Sequence, residues 1–531
     1  MRTSTTLFLL LFMFSALNAQ NTKSSMETEP METGIYEGSW ESLKQYGEAP
    51  EWFQDAKFGI WAHWGPQCEP EDGDWYARAM YFPGSGQYNT HVSKYGNPSV
   101  FGFKDVINVW KADKWDPEKL VALFKRTGAQ YFMALANHHD NMDLWDSKYQ
   151  PWNSVNMGPK RDILGEWAKA AKDNKLPFGI SIHASHAWTW YEGSQDFDGN
   201  LTKEDGAGKW WEGYDPQDLY AQNHPRSEGS SNIGNIHKQW NWEKGAAQPS
   251  EEFCNNVYNR TIDAINRYNP DVVYFDDTVL PFYPINNDIG PRIAAHAYNK
   301  SLKENGSQKA VILGKVLNED QKECMVWDIE RAIPDKIEEK YWQTCTCIGT
   351  WHYQTSFYDD NRYKSAKTVI YMLVDIVSKN GNLLLSVPMR GNGTIDDKEE
   401  AILKGISDWM DINKESIYGT RPWKVFGEGP TNSGPIRDQG FNEGLVYTSK
   451  DIRYVEKNDV LYATVLGWPD DRKVTLKNLG TFSPHYTGKV KKVELLGYGK
   501  VNIVSRNEDG LTVKLPAKQT NDIAPVLKIS L

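Results

Sequence analysis

Between Trp52 and Asn413 short apolar runs alternate with stretches of helical periodicity, and this alternation constrains the fold more than any other feature. Candidate strands cover 57–64, 131–136, 178–183, 270–276, 310–316 and 382–387. Candidate helices fall between and after them. One opens on the N-cap and first-turn pair Asp116-Pro117, runs through Leu120, Val121 and Phe124, and ends near Gly128. Others cover 163–174, 251–268, 366–379 and 397–413. Repeated strand–helix units imply a parallel sheet. Their number predicts an α/β fold closed as a (β/α)8-type, TIM-like barrel. An open doubly wound sheet would carry a glycine-rich phosphate loop after an early strand, and the sequence has none.

After Arg421-Pro422-Trp423 the texture changes to short strands with turn residues between them, at 451–456, 460–466, 473–476, 489–496 and 511–514. These predict a C-terminal antiparallel β-sandwich domain. At the other end a basic Arg2, an apolar run from Leu7 to Leu17 and small residues before Gln20 read as a secretory signal peptide cleaved after Ala19. The expected organisation is therefore a signal peptide (1–19), a flexible polar lead-in (20–45), a catalytic barrel (46–420) and the sandwich (421–531). The chain is expected to be secreted or periplasmic, with no membrane span, because the leader is too short to cross a bilayer. The net charge of −11 argues against a nucleic-acid partner. The 5 cysteines are an odd number without zinc-site spacing and are expected to be free.

Four strand ends carry polar clusters: His63-Trp64, Asn137-His138-His139-Asp140, His183 with His186, and Asp276-Asp277. In a parallel barrel these ends converge on the face that carries active sites. Metal ligation is not expected, since no HxH or HExxH spacing occurs and adjacent His138 and His139 would point to opposite faces of a strand. No cofactor is expected either. Trp and Tyr, 22 and 27 in number, offer flat apolar faces with a polar handle, which suits sugar rings. Glycoside hydrolysis needs paired carboxyl groups flanking the scissile bond. A non-catalytic carbohydrate-binding protein on the same scaffold is the reading from another class.

Several motifs together resemble the α-L-fucosidases of glycoside hydrolase family 29. They include Trp52-Phe53-x-x-Ala56-Lys57-Phe58-Gly59-Ile60 through His63-Trp64-Gly65, then Asp74-Trp75-Tyr76-Ala77-Arg78-x-Met80-Tyr81 and His138-His139-Asp140. Leu144-Trp145-Asp146-Ser147 through Trp152-Asn153, Gly158-Pro159-Lys160-Arg161-Asp162, the strand 270–276, the stretch 342–353 and Asn380-Gly381-Asn382-Leu383-Leu384-Leu385 continue the match. Leu466-Gly467-Trp468-Pro469 extends it into the tail.

The resemblance implies a retaining exo-glycosidase acting on terminal α-L-fucose of oligo- or polysaccharides. Strand alternation alone does not choose between Asp276 and Asp277; the family register makes Asp276 the nucleophile, with Asp277, usually Gly in the family, as a helix cap. Glu330 is the expected acid/base, in a loop between strand 310–316 and the aromatic stretch 342–353, and Asp328 is the alternative. His63, Asp74, Trp75, His138, His139 and His183 would form the hydroxyl-binding ring, and Trp351 an apolar wall beside the sugar's C5 substituent. The long Trp-, Gly- and Asn-rich loops over 193–250 are candidate leaving-group subsites. Asp74 replaces the commoner Glu, Asn137 the commoner Lys and Asn141 the commoner Gly. A shortened acid at Asp74 leaves room for a hydroxyl at C6, so an exo-α-L-galactosidase acting on algal galactans is the alternative substrate reading.

Overall fold

The computed structural model describes residues 26–235, 245–434 and 441–531. The expected signal peptide at 1–19 lies outside the described residues. Eight parallel strands close a barrel in sequential order: β1 Phe58–Ala62, β2 Tyr131–Leu135, β3 Phe178–Ile182, β4 Val272–Phe275, β5 Val311–Gly314, β6 Val326–Glu330, β7 Trp342–Cys347 and β8 Gly381–Ser386. Nearly every residue in these strands is buried, as expected for strands covered by helices outside and by packed side chains inside. Helices Pro117–Thr127, Ile163–Asp173, Glu251–Tyr268, Ile289–Asn305 and Ala366–Ser378 each precede a strand, and Asp397–Asn413 follows the last.

One expectation fails here. Residues 326–330, read as a loop, form barrel strand β6, which pairs with β5 and β7. Only the four-residue helix Glu319–Lys322 separates β5 from β6, and no helix separates β6 from β7. The strand–helix alternation that revealed the other strands is therefore interrupted where β6 lies. Its sequence, Val-Trp-Asp-Ile-Glu, also carries two acids that mask its apolar character.

The barrel floor is a closed polar layer. Tyr131 donates to Gln343 at 2.7 Å, and Gln343 donates to Asp328 at 2.7 Å. Gly59 pairs with Tyr131 across β1 and β2, and a Cβ on it would meet the Tyr131 ring at 2.3 Å. Asp328 also accepts from Cys345 Sγ and is almost fully buried beneath the cavity described below. It is thus part of the floor, which removes it as the alternative acid/base.

The C-terminal part packs a six-stranded antiparallel sheet against a three-stranded one. The first contains β9 Arg421–Glu428, β10 Ile452–Lys457, β11 Val460–Val465, β13 Lys492–Leu495, β14 Gly499–Lys500 and β17 Val526–Ser530. The second contains β12 Lys473–Leu476, β15 Asn502–Asn507 and β16 Gly510–Lys514. Tyr454, Leu461 and Leu527 from one sheet and Leu476, Leu511 and Val513 from the other share one apolar core. All five cysteines are free and buried.

The lead-in expected to be flexible is tied down from Met26 onward. Asn259 and Asn299, on two barrel helices, bond main-chain groups of Glu27, Glu29, Glu32 and Tyr36 at 2.7–3.0 Å. Its polar composition hid this, because the contacts are made by its backbone and by the polar side chains of Thr28, Glu29 and Glu32.

A buried charge cluster fastens the sandwich to the barrel. Asp375, on helix Ala366–Ser378, is ion-paired with Arg453 of β10 and with Lys379 at 3.0 Å, and accepts from Tyr447 at 2.9 Å. Removing one member of such a set leaves uncompensated buried charge. Asp375→Ala should lower unfolding free energy by about 3–5 kcal/mol, read from a denaturant titration; a loss below about 1 kcal/mol would show that the cluster does not hold the two parts together.

Candidate active site

Four strands place a polar side chain at the first position beyond their C-terminal end: His63 after β1, His183 after β3, Asp276 after β4 and Lys315 after β5. Glu330 is the last residue of β6. The registers Ile182↔Phe275 and Tyr274↔Leu313 set His183, Asp276 and Lys315 side by side. Together they line a cavity of about 330 Å³ with Trp61, Asp74, Trp75, His138, His186, Tyr274, Asp277, Arg331, Trp351, His352 and Phe441. Of the expected site residues, only His139 does not face the cavity directly, and it touches Asp276 instead.

Asp276 is held by three partners. Its Oδ2 accepts from His139 Nε2 at 3.1 Å and from His183 Nδ1 at 3.2 Å, and its Oδ1 is bonded by the Lys315 ammonium. Burial alone would raise this carboxyl, but the Lys315 charge and the two imidazole hydrogen bonds outweigh it and hold it well below the usual carboxylate range. Lys315 also donates to Glu330 Oε2 at 2.8 Å, so one ammonium bridges both carboxylates. Burial works against the Lys315 charge, yet Asp276 and Glu330 raise it well above the ordinary lysine range. Lys315 escaped the sequence analysis because only histidines and acids were sought at strand ends. Its signal was there: a lysine directly after the apolar run Val311–Gly314.

Asp277 does not cap a helix. It accepts from Ser185 Oγ at 2.8 and 2.9 Å and pairs with His186 Nε2 at 3.1 Å, and the next helix starts only at Ile289. Successive residues at the end of a strand point apart, so Tyr274 and Asp276 share the inward face and Asp277 turns to the β3 loop.

The histidines form the opposite wall. His138 and His139 were expected to point apart; both instead reach the site, with ring centroids 4.4 Å apart. Strand β2 stops at Leu135, and the chain turns at 138–141, where Asn141 N–H donates to His138 O at 3.0 Å, so strand alternation no longer applies. Asn137 Oδ1 accepts from the main-chain N–H groups of His183 and Ala184 at 3.0 and 3.2 Å and so fixes the end of β3. Gln67 Oε1 is taken by Ala77 N–H, so its amide donates to His138 Nδ1 at 2.7 Å. That bond leaves the His138 proton on Nε2. Burial, reinforced by the neighbouring imidazoles, pushes His63 and His138 well below the ordinary histidine range. Burial also lowers His183, to about 4, against the pull of Asp276. These rings are neutral at neutral pH.

Several of these nitrogens make no hydrogen bond: both of His63, Nε2 of His352 and Nε2 of His183 are buried without one, while His352 Nδ1 lies 3.5 Å from Asp74 Oδ1. Orphaned polar groups are costly in a core. Converging on a cavity, they match a ligand rich in hydroxyl groups. Nitrogens of His63, His138 and His352 lie within 4.8 Å of one another, as do those of His138, His139 and His183, a spacing a metal ion could also bridge. Asp74 Oδ1 accepts from His352 N–H at 2.6 Å. Trp75, beside it, has φ 65°, a left-handed conformation uncommon for so large a side chain.

His183 ties stability to pH. Folded, it takes up a proton only near pH 4; unfolded, it does so near 6.5. Between these values the unfolded chain carries more protons, so this contribution to stability is present above pH 6.5 and is lost as pH falls toward 4. In His183→Gln the slope of unfolding free energy against pH between 6.5 and 4 should decrease by up to about one proton. An unchanged slope would show that His183 is not a depressed histidine.

The α-L-fucosidase family model matches residues 23–415, and the α-L-fucosidase C-terminal domain model matches 443–530. An α-L-fucosidase of Branchiostoma floridae is 25% identical over 505 residues, covering 92% of this chain and 93% of the relative. The plasma α-L-fucosidase of Homo sapiens is 25% identical, with coverage of 91% and 88%. Among solved structures, Thermotoga maritima α-fucosidase in complex with fucose superposes with a TM-score of 0.68 at 23% identity, over 93% of this chain and 99% of that one. The chain belongs to the α-L-fucosidase family of glycoside hydrolases.

Proposed function

We propose that this protein hydrolyses terminal α-L-fucosides with retention of configuration, using Asp276 as nucleophile and Glu330 as acid/base. The Lys315 bridge carries the reading. Two hydrogen bonds that meet at one nitrogen keep their acceptor oxygens within about 6 Å. Retaining glycosidases place their carboxyl groups about 5–5.5 Å apart, whereas inverting enzymes need about 6.5–9.5 Å to seat a water between them. Family membership and the names of the relatives support α-L-fucose as the sugar.

In the first step Glu330 acts in its protonated form, having taken a proton from solvent: the ionised Asp276 attacks the anomeric carbon while Glu330 passes that proton to the glycosidic oxygen, and the leaving alcohol departs. In the second, Glu330 as carboxylate takes a proton from water, whose oxygen displaces Asp276. Lys315 keeps Asp276 ionised and the two carboxylates in register. His63, His138, His139, His183, Asp74 and Trp75 would receive the sugar hydroxyls, and Trp61, Tyr274 and Trp351 supply aromatic walls. Arg331, next to Glu330, has its guanidinium held by Glu443 at 2.7 Å. The apolar leader at Leu7–Leu17 supports export of the chain.

A second reading, an α-L-galactoside, gains support from His352. The space beside the short Asp74 is taken by the His352 imidazole, whose Nδ1 stands 3.5 Å from Asp74 Oδ1 and whose Nε2 lacks a hydrogen-bond partner, so the pocket is more polar there. A pocket that hydrogen-bonds an extra hydroxyl discriminates strongly, whereas an apolar one does not. Comparing kcat/KM on 4-nitrophenyl α-L-fucoside and α-L-galactoside decides between the sugars, and a galactoside preference that collapses in His352→Ala would establish the second.

For the mechanism, Asp276→Ala should lower kcat by about 10⁴-fold while sugar binding persists. Added azide should restore turnover by attacking the anomeric carbon where Asp276 is missing. Unchanged turnover in the variant would remove Asp276 as nucleophile. Saturable sugar binding with no turnover by the wild type would favour the carbohydrate-binding reading.

A further inference from the structure

Phe441 is the only large apolar side chain that, among the described residues, is both strongly exposed and part of the cavity lining; its exposure is 60%. It comes from the segment between β9 and β10, outside the barrel strands, and nothing in its sequence neighbourhood marks it. Its placement is tightly enforced. Phe441 N–H donates to the main-chain oxygen of Glu330 at 3.3 Å. The Asn442 side chain accepts from Ile333 N–H at 2.9 Å and donates to Ile333 O at 3.0 Å. Glu443 accepts from Arg331 at 2.7 Å and pairs with Lys364 at 3.2 Å. Three successive residues are thus fastened to the barrel rim just beyond β6. Phe441 itself is held at φ 67°, a left-handed conformation costly for a bulky residue, which the surrounding bonds must maintain.

The direction of the chemistry says what this ring faces. Resting on the reading of Glu330 as the acid, the leaving group must lie on the Glu330 side of the scissile bond, because that is the oxygen Glu330 protonates. An exposed aromatic ring bonded through its own backbone to Glu330 therefore stands beside the leaving group. A flat apolar face suits the CH face of a pyranose ring. We propose that Phe441 is the platform of a leaving-group subsite, its ring stacking on the glycosyl residue to which the scissile sugar is attached. The loops over 193–250, expected to supply this subsite, contribute nothing to the cavity lining among the described residues. The C-terminal part would thus complete the substrate site.

The test compares two leaving groups on the full-length protein. A panel of α-L-fucosyl-galactose disaccharides supplies a ring to stack on Phe441, and α-L-fucosyl fluoride supplies none. The quantity read is the ratio of kcat/KM for the best disaccharide to that for the fluoride. Phe441→Ala should lower this ratio about tenfold, the value of one aromatic stacking contact, and Phe441→Trp should preserve it. A ratio unchanged in Phe441→Ala would overturn the proposal, because a merely structural role would depress both substrates together. A wild type that cleaves the fluoride and none of the disaccharides would also overturn it. Failure on the fluoride itself would strike the fucosidase reading rather than the subsite.

Discussion

The Lys315 ammonium is the contact on which the site depends. A carboxylate lining a cavity and mostly withdrawn from water is costly unless it is paired and hydrogen-bonded. Asp276 satisfies both conditions through Lys315, His139 and His183. The same ammonium reaches Glu330 on the next strand, so it sets the spacing of the two carboxylates. Neighbouring strands β4, β5 and β6 deliver Asp276, Lys315 and Glu330 in order around the barrel. The parallel register makes that arrangement a consequence of the fold rather than of loop conformation.

Around this charged centre the pocket is built from imidazoles that burial keeps neutral. Neutral rings can donate at one nitrogen and accept at the other, which suits hydroxyl groups, and they add no positive charge that would compete with Lys315 for Asp276. Their orphaned nitrogens are costly in a core, a cost that hydroxyl partners would relieve. The buried clamp between Asp375 and Arg453 has a related consequence: it fixes the C-terminal part against the barrel and so brings the segment carrying Phe441 to the cavity rim.

Much of this was legible in the sequence, and the exceptions have physical reasons. Strand ends with conspicuous chemistry, such as His63, His183 and Asp276, could be read because apolar runs end sharply there. β6 could not, because it lacks the intervening helices and carries two acids within five residues. That strand nevertheless delivers Glu330, expected in a loop, to the cavity. Lys315 was overlooked because a lysine after a strand is commonly a solvated end, and only its neighbours reveal two carboxylates. His352 and Phe441 owe their positions to contacts across the fold: His352 with Asp74, and Phe441 with Glu330. No local pattern encodes such contacts. The turn at 138–141 shows the reverse failure, where strand alternation was extended beyond the end of the strand.

The most direct test of this account is to trap the intermediate. Incubation with 2-deoxy-2-fluoro-α-L-fucosyl fluoride, followed by proteolysis and mass spectrometry of the labelled peptide, locates the residue that bonds the anomeric carbon. The account predicts a single deoxyfluorofucosyl adduct on Asp276. An adduct on Asp277 or Glu330, or turnover of the reagent with no covalent adduct, would contradict it.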